Sequence, residues 1–406
     1  MTARVPVLDQ AVVDAELGRL WDFGRKFPHP DGGGAWLDAD GEPDLSRPVH
    51  TYITARMTHV YCLAALRGQD GAAALALRGL DGLTGRLRDR RHGGWFDSLD
   101  PTGQPAPLKT NYSHAFVVLA ASSAVVAGLP GASALLHEAL DTWLARFWDD
   151  KAAMFVDTWN REFTRLDPYR GVNGNMHAVE ALLAAADVLD DDTLRQRAAA
   201  VARRVAFGFA EPNGWRIPEH FTAEWQPRLG YNRDRPDDQF RPYGATVGHG
   251  FEWSRLLLTL EAAGTDPAPD LVRAATALFE RAAADGWDVD GTPGFVYTTD
   301  WDGTPVARDR LHWVAAEAIA ACAALYDRTA DPSFRHRARQ WWDYTAAVLL
   351  DHDRGSWHHQ LDPRNRPVDT VWPGKPDLYH SVQALLILGL PLHPTVSLAL
   401  QAQQPH

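Results

Sequence analysis

The chain has 406 residues, 45% of them hydrophobic, with 16 tryptophans and a formal charge of −12. It can therefore bury a sizeable core and still line a pocket with aromatic rings, while Arg scattered among Asp and Glu leaves no basic stripe for nucleic acid or an anionic membrane. Its two cysteines, Cys62 and Cys322, each fall inside an apolar helical pattern, which excludes a disulfide framework and fits buried thiols in a reducing compartment.

The N-terminal stretch MTARVPVLDQAVVDAEL lacks a signal-peptide apolar core, and nowhere does an apolar run approach the roughly 20 residues of a membrane span. A cytoplasmic protein is expected. No linker, charge block or composition shift divides the chain, so a single domain over residues 1–406 is expected. A turn signature recurs along it: GGGAWLDADGEP, HGGWFDSLDPTGQP, AAMFVDTWNREF, EPNGWRIPEHF, TPGFVYTTDWDGTP and RGSWHHQLDPRNRP. Trp36, Trp95, Phe155, Trp215, Phe295 and Trp357 mark it at intervals of about 60 residues, with one longer gap, which is the mark of repeat architecture. Six short aromatic β-hairpins are expected there. Between them run paired Ala- and Leu-rich segments at helical spacing, such as 51–67 with 71–90 and 173–189 with 193–209. Six helical hairpins that cannot bury their faces singly close most economically into an all-α (α/α)6 barrel with the β-hairpins at one end; a linear solenoid is the alternative.

The first helix of each pair carries a histidine near its start: His59, His114, His177, His249, His312 and His380. In a closed ring these converge on one pocket, although each taken singly also reads as a satisfied helix-start histidine. In the first, TYITARMTHVYCLAAL sets Tyr52 and Arg56 in an otherwise apolar helix start, where a guanidinium is either paired or facing a pocket. Tyr112 and His114 open the second. The third, GVNGNMHAVEALLAA, puts Asn173 and His177 on one face beside Met176, with Glu180 a turn deeper; amide and imidazole together suit hydroxyl recognition. Residues 220–244 fill the long gap as an irregular polar and aromatic loop, the kind of segment that serves a site more often than a core. RPYGATVGHGFEWSRLLLTL comes next, with His249 and Glu252 sharing a face within the first two turns. There the helix dipole favours neutral imidazole over imidazolium. Glu252 also reads as an ion-pair partner of Arg56 or Arg255. His312 and Trp313 start the fifth helix, where the indole suits either core packing or stacking on a sugar. Asp377 and His380, in WPGKPDLYHSVQALLIL, start the sixth.

Neutral histidines, one or two carboxylates, an arginine and no evident nucleophile suit proton transfer next to a carbonyl through an enediolate. No GxSxG elbow, P-loop or HEXXH is present, which argues against serine hydrolase, NTPase and zincin chemistry. His358 and His359 lack diagnostic zinc spacing, so neither metal nor cofactor is expected. Glu180, Glu252 and Glu317 could form an inverting hydrolytic pair, but their places beside histidines or Trp suit carboxylates that support imidazoles.

The stretches TARMTHVY, GGWFDSLD, NGNMHAVEALLAA, GHGFEW, RLHWVAAEAI and WPGKPDLYH together resemble the N-acylglucosamine 2-epimerase superfamily over nearly the whole chain, and are most similar to its aldose–ketose isomerase branch. The resemblance implies an (α/α)6 barrel. It implies a monosaccharide substrate, mannose or a sugar of the same C2 configuration such as lyxose, converted to a ketose without a metal. It implies a site lined by Arg56, Asn173, His177, His249, Glu252 and His380, with the last histidine and His249 as the acid/base pair. The PDLYH surround of His380 resembles isomerases rather than 2-epimerases. Tyr52 departs from the tryptophan expected in many isomerases. A sulfonated sugar is the runner-up substrate, with Arg233, Arg235 or Lys109 as candidate cations for its charge. A non-catalytic sugar-binding barrel is a further alternative, and a homo-oligomer is left open.

Overall fold

The computed structural model describes residues 6–264 and 269–404; the first five residues of the N-terminal stretch lie outside them. The described chain is helical, with thirteen α-helices in order: α1 Gln10–Gly24, α2 Thr51–Leu66, α3 Ala72–Thr84, α4 Asn111–Val126, α5 Ala132–Phe147, α6 Asn173–Leu189, α7 Asp192–Arg203, α8 Val247–Ala262, α9 Pro269–Gly286, α10 His312–Thr329, α11 Pro332–Val348, α12 Tyr379–Gly389 and α13 Val396–Gln401. None is long and apolar enough to cross a membrane. Two compact units emerge, both discontinuous in sequence. The first comprises residues 24–204, 220–228 and 397 onward and contains α2 to α7. The second comprises residues up to 23, 205–219 and 229–396 and contains α1 and α8 to α12.

Inside each unit, buried helices alternate with amphipathic ones, as the Ala- and Leu-rich pairs predict. Every residue of α2 except Ala65 is buried. Its partner α3 buries one stripe, Ala72, Ala76, Leu80 and Leu83, at the three- and four-residue steps of a helix face. Each fully buried Leu adds about 1.5–3 kcal/mol of apolar burial. The polar residues of α2 are satisfied locally: Thr58 Oγ1 donates to the Thr54 carbonyl, and the His59 imidazole meets Ser123 Oγ of α4 at 2.7 Å. The histidine of the first repeat is thus a core residue.

The expected hairpins are present as single local antiparallel bridges, such as Pro28–Gly34, Arg88–Trp95, Trp287–Phe295 and Leu350–Trp357, and short strands add pairings between repeats. Trp148–Asp149 with Met154–Phe155 is a local pair. Elsewhere the short strand just ahead of a buried helix pairs antiparallel with the loop of the following repeat. Val49–His50 pairs with Ser98–Leu99, Leu108–Thr110 with Thr158–Asn160, and Arg170–Gly171 with His220–Phe221. In the second unit Ala245–Thr246 pairs with Thr298–Thr299, and Arg310–Leu311 with Gln360–Leu361. Strands this short are marginal alone; each partner loop is folded back by a local bridge, Leu99–Pro105, Trp159–Leu166, Phe221–Pro227, Thr299–Pro305 or Leu361–Pro367, and the ladder to the preceding repeat adds to it. The Asp–Gly turns are as predicted, with Asp100 Oδ1 accepting from the amides of Thr102 and Gln104.

Candidate active site

The second unit builds a cluster around the start of α8. Thr246 ends a strand and caps the helix in extended conformation. The two glycines flanking His249 then bring α8 close to its neighbours: a Cβ at Gly248 would lie 2.3 Å from the Trp313 ring, and one at Gly250 would lie 2.8 Å from Ala282 Cβ of α9. His249 is buried, with its ring 5.3 Å from that of Trp313. Its Nδ1 meets Glu219 Oε1 at 2.9 Å. An ionised carboxylate only accepts, so Nδ1 carries the hydrogen and Nε2 presents a lone pair.

His380 is built the same way from another helix. Asp377 Oδ1 accepts from the Tyr379 amide and opens α12, placing His380 in its first turn. Its Nδ1 meets Glu317 Oε1 at 2.8 Å, and its ring lies 5.6 Å from Trp313. Two imidazoles thus flank one indole, each held through Nδ1 by its own buried carboxylate. The second oxygen of Glu317 accepts from Arg255 Nε at 3.0 Å, and Arg255 Nη2 lies 3.7 Å from Glu252 Oε1. Glu252, Arg255 and Glu317 are each at most 3% exposed.

Glu252, Glu317 and His380 bring potential donor atoms within 4.8 Å of one another, the one such grouping among the described residues. The donor chemistry fits a cation poorly. Both Glu317 oxygens are engaged, one by Arg255 Nε and the other by His380 Nδ1, so a cation would have to displace an existing partner of that carboxylate.

The first unit holds a separate polar cluster. Arg56 Nη2 donates to Tyr112 Oη at 2.6 Å, and the guanidinium packs over Phe116, 4.4 Å from its centroid, and over Tyr52 and Tyr112 at 5.5 Å. His177 packs on Phe116 at 4.5 Å and Tyr112 at 5.1 Å, with Nδ1 3.8 Å from Glu180 Oε2. Arg56, Tyr112 and His177 therefore form one aromatic-walled group.

Other predicted positions take structural roles. Both His114 nitrogens are committed to backbone: Nδ1 to the Thr110 carbonyl at 2.7 Å, and Nε2 to the Trp95 amide at 3.1 Å. Burial holds its pKa down at about 4, so it is a neutral structural ring rather than a sugar contact. Met176 is fully buried core. Asn173 is half-buried at the first position of α6. Asn175, two residues on, is the amide fixed in the protein, bonding Phe155 through both its oxygen and its nitrogen. Asp377, one residue ahead of the Leu378 N-cap, closes a turn by accepting from the Tyr379 amide. His312 Nδ1 lies 3.4 Å from the His359 carbonyl oxygen. Lys109, a candidate cation for a sulfonated sugar, is wholly buried, 3.0 Å from Asp89 and hydrogen-bonded to the Gly93 carbonyl. Arg233 is 70% exposed and 3.6 Å from Asp300. His358 lies beside Asp351 at 3.7 Å.

Two residues of the cluster gave no recognisable signal as such. Glu219 lies in EPNGWRIPEHF, a turn with no periodicity, ahead of the long loop. Arg255 reads along α8 only as a partner for Glu252, whereas its shorter contact is Glu317 on α10.

The fold and the sequence both place the chain in a known class. A family model described as N-acylglucosamine 2-epimerase (GlcNAc 2-epimerase) matches residues 32–384, and the chain is a member of that family. Its relatives narrow the class further. The chain is 49% identical over 393 residues to a D-mannose isomerase of Thermobifida fusca, covering 96% of this chain and 97% of the relative. It is 44% identical over 387 residues to a D-mannose isomerase of Pseudomonas cannabina pv. alisalensis, covering 94% and 93%. A crystal structure of D-mannose isomerase superposes with a TM-score of 0.88 at 28% identity, covering 94% of this chain and 97% of that one. The fold class is the all-α (α/α)6 type of these enzymes.

Proposed function

We propose that this protein is a sugar isomerase that interconverts D-mannose, and sugars of the same C2 configuration such as D-lyxose, with the corresponding ketose, without metal or cofactor. One observation carries the chemistry: two imidazoles against one indole, each with Nδ1–H anchored on a buried carboxylate, which puts the proton-accepting lone pair on Nε2. A base so held accepts a proton and is stabilised as imidazolium by its carboxylate, then returns the proton. His249 serves ring opening: Nε2 takes the O1 hydroxyl proton as the C1–O5 bond breaks, and the imidazolium so formed delivers that proton to O5, returning to its neutral form. His380 Nε2 then removes the C2 proton of the open aldehyde, and the electron pair moves into a C1–C2 enediolate. The same nitrogen returns its proton to C1, while the O2 proton moves to O1, giving the ketose. Glu252 with Arg255 would stabilise charge near this step. Trp313 suits stacking against the sugar.

Arg56, Tyr52, Tyr112 and His177 are proposed substrate contacts on the strength of the family resemblance, and their aromatic-walled, polar group suits hydroxyl recognition. The family match runs through both units, which supports reading the chain as one catalytic domain. The burial of Lys109 against Asp89 removes one cation from the sulfonated-sugar alternative.

The test is a short incubation of mannose in heavy water with NMR of the products. Fructose should appear first, carrying deuterium at C1 in the fraction of turnovers in which the His380 imidazolium exchanges its proton with solvent before returning it, with glucose minor and late. Early glucose deuterated at C2, ahead of fructose, would assign the protein to 2-epimerisation, and no turnover of any aldose would leave it a binding protein.

A further inference from the structure

We propose that Arg255 is a positioning residue for catalysis: it holds Glu317 from behind and, through Glu317, fixes the ring of His380. The inference rests on the isomerase reading and adds, to the charge stabilisation that reading gives Arg255 with Glu252, a separate role through Glu317 and His380. Arg255 is 3% exposed, so nothing but the protein can satisfy its charge. Its Nε donates to Glu317 Oε2 at 3.0 Å, leaving Oε1 of that carboxylate to receive His380 Nδ1 at 2.8 Å. A carboxylate gripped on one oxygen cannot rotate freely, and its other oxygen thereby fixes both the tautomer and the plane of the imidazole. The guanidinium also reaches Glu252 Oε1 at 3.7 Å, so one planar cation ties α8 to α10, and α10 to the histidine of α12.

The two histidines differ here. Among the described residues, Glu219 contacts His249 alone, whereas Glu317 is shared between His380 and Arg255. Loosening Arg255 should therefore disable His380 and leave the Glu219–His249 pair in place. Lysine cannot reproduce the fork, because an ammonium is a point donor on a flexible stem.

The variants are Arg255→Lys and Arg255→Ala, assayed as the full chain. In each, kcat for mannose should fall about 10- to 100-fold with KM within about twofold, since ring placement matters in the transition state rather than in ground-state binding. Millimolar guanidinium, at a non-denaturing concentration, should restore part of the lost kcat in Arg255→Ala and do nothing for the wild type. Arg255→Lys keeps the buried charge and guards against the Ala variant failing to fold. A long-range 1H–15N NMR spectrum adds a readout that needs no turnover: His380 should show the Nδ1–H tautomer in the wild type and a mixture in the variants. Arg255→Lys with kcat within threefold of wild type, or with KM rising in step with the loss of kcat, would overturn the positioning role. So would an unchanged His380 tautomer. If the wild type turns over no sugar, the isomerase reading fails and the NMR comparison still decides the Arg255–Glu317–His380 linkage.

Discussion

Replacing Glu219 with Gln isolates what a carboxylate does for a catalytic imidazole, because Glu219 lies on no helix and its contact is His249 Nδ1 at 2.9 Å. The amide keeps the shape and removes the charge. With an effective dielectric of about 20, two unit charges about 4 Å apart attract by about 4 kcal/mol, an upper figure for what the imidazolium form loses. A retained neutral hydrogen bond returns about 1 kcal/mol. The net loss of about 2–3 kcal/mol corresponds to a fall of about 30- to 150-fold in kcat. The loss grows if the amide turns its NH2 toward Nδ1, since the ring then carries its hydrogen on Nε2, where a base needs a lone pair. Initial rates of fructose formation at saturating mannose, with a thermal melt alongside, measure the effect. A Glu219→Gln enzyme that keeps its fold and stays within threefold of wild-type kcat would refute the argument, leaving the carboxylate a packing partner only.

Three further outcomes are expected. His249→Ala or His380→Ala should lower turnover by about 10² to 10⁴ without unfolding the protein; near-normal activity in a mannose assay removes that histidine from the mechanism. Exhaustive chelation should leave activity intact, because both Glu317 oxygens are already held, by Arg255 and His380; activity that is lost and then restored by zinc or manganese would make Glu252, Glu317 and His380 ligands. His114 gives an acid-stability prediction whose sign comes from its pKa, held at about 4 by burial. The unfolded chain binds this proton near pH 6.5 and the folded one does not, so stability falls as pH drops from about 6.5 to about 4, by about 3 kcal/mol in all. Denaturant titrations at pH 7 and pH 4 should therefore differ less for His114→Gln than for wild type, and an equal difference in both proteins would contradict the assignment.

The repeat, the alternation of buried and amphipathic helices, and the helix-start positions of His249 and His380 are all legible in the sequence, because each is written in local periodicity and capping chemistry. GHGFE is legible in the same way: its glycines and its histidine are neighbours along the chain, even though the reason for the glycines, room for Trp313 and Ala282, is not. Which of the six helix-start histidines are anchored on a buried carboxylate emerges only once the helices are packed. His59 and His114 carry the same signature as His249 and His380, yet their rings are spent on Ser123 Oγ and on backbone. The carboxylates that separate the two classes stand 30 and 63 residues away from their histidines. Packing likewise sets the short strands pairing between successive repeats, and has Arg255 grip Glu317 on α10 more closely than Glu252 on its own helix. A side chain's hydrogen-bond partner is set by which helices meet at its depth, and periodicity records which face a residue lies on but not what stands opposite it.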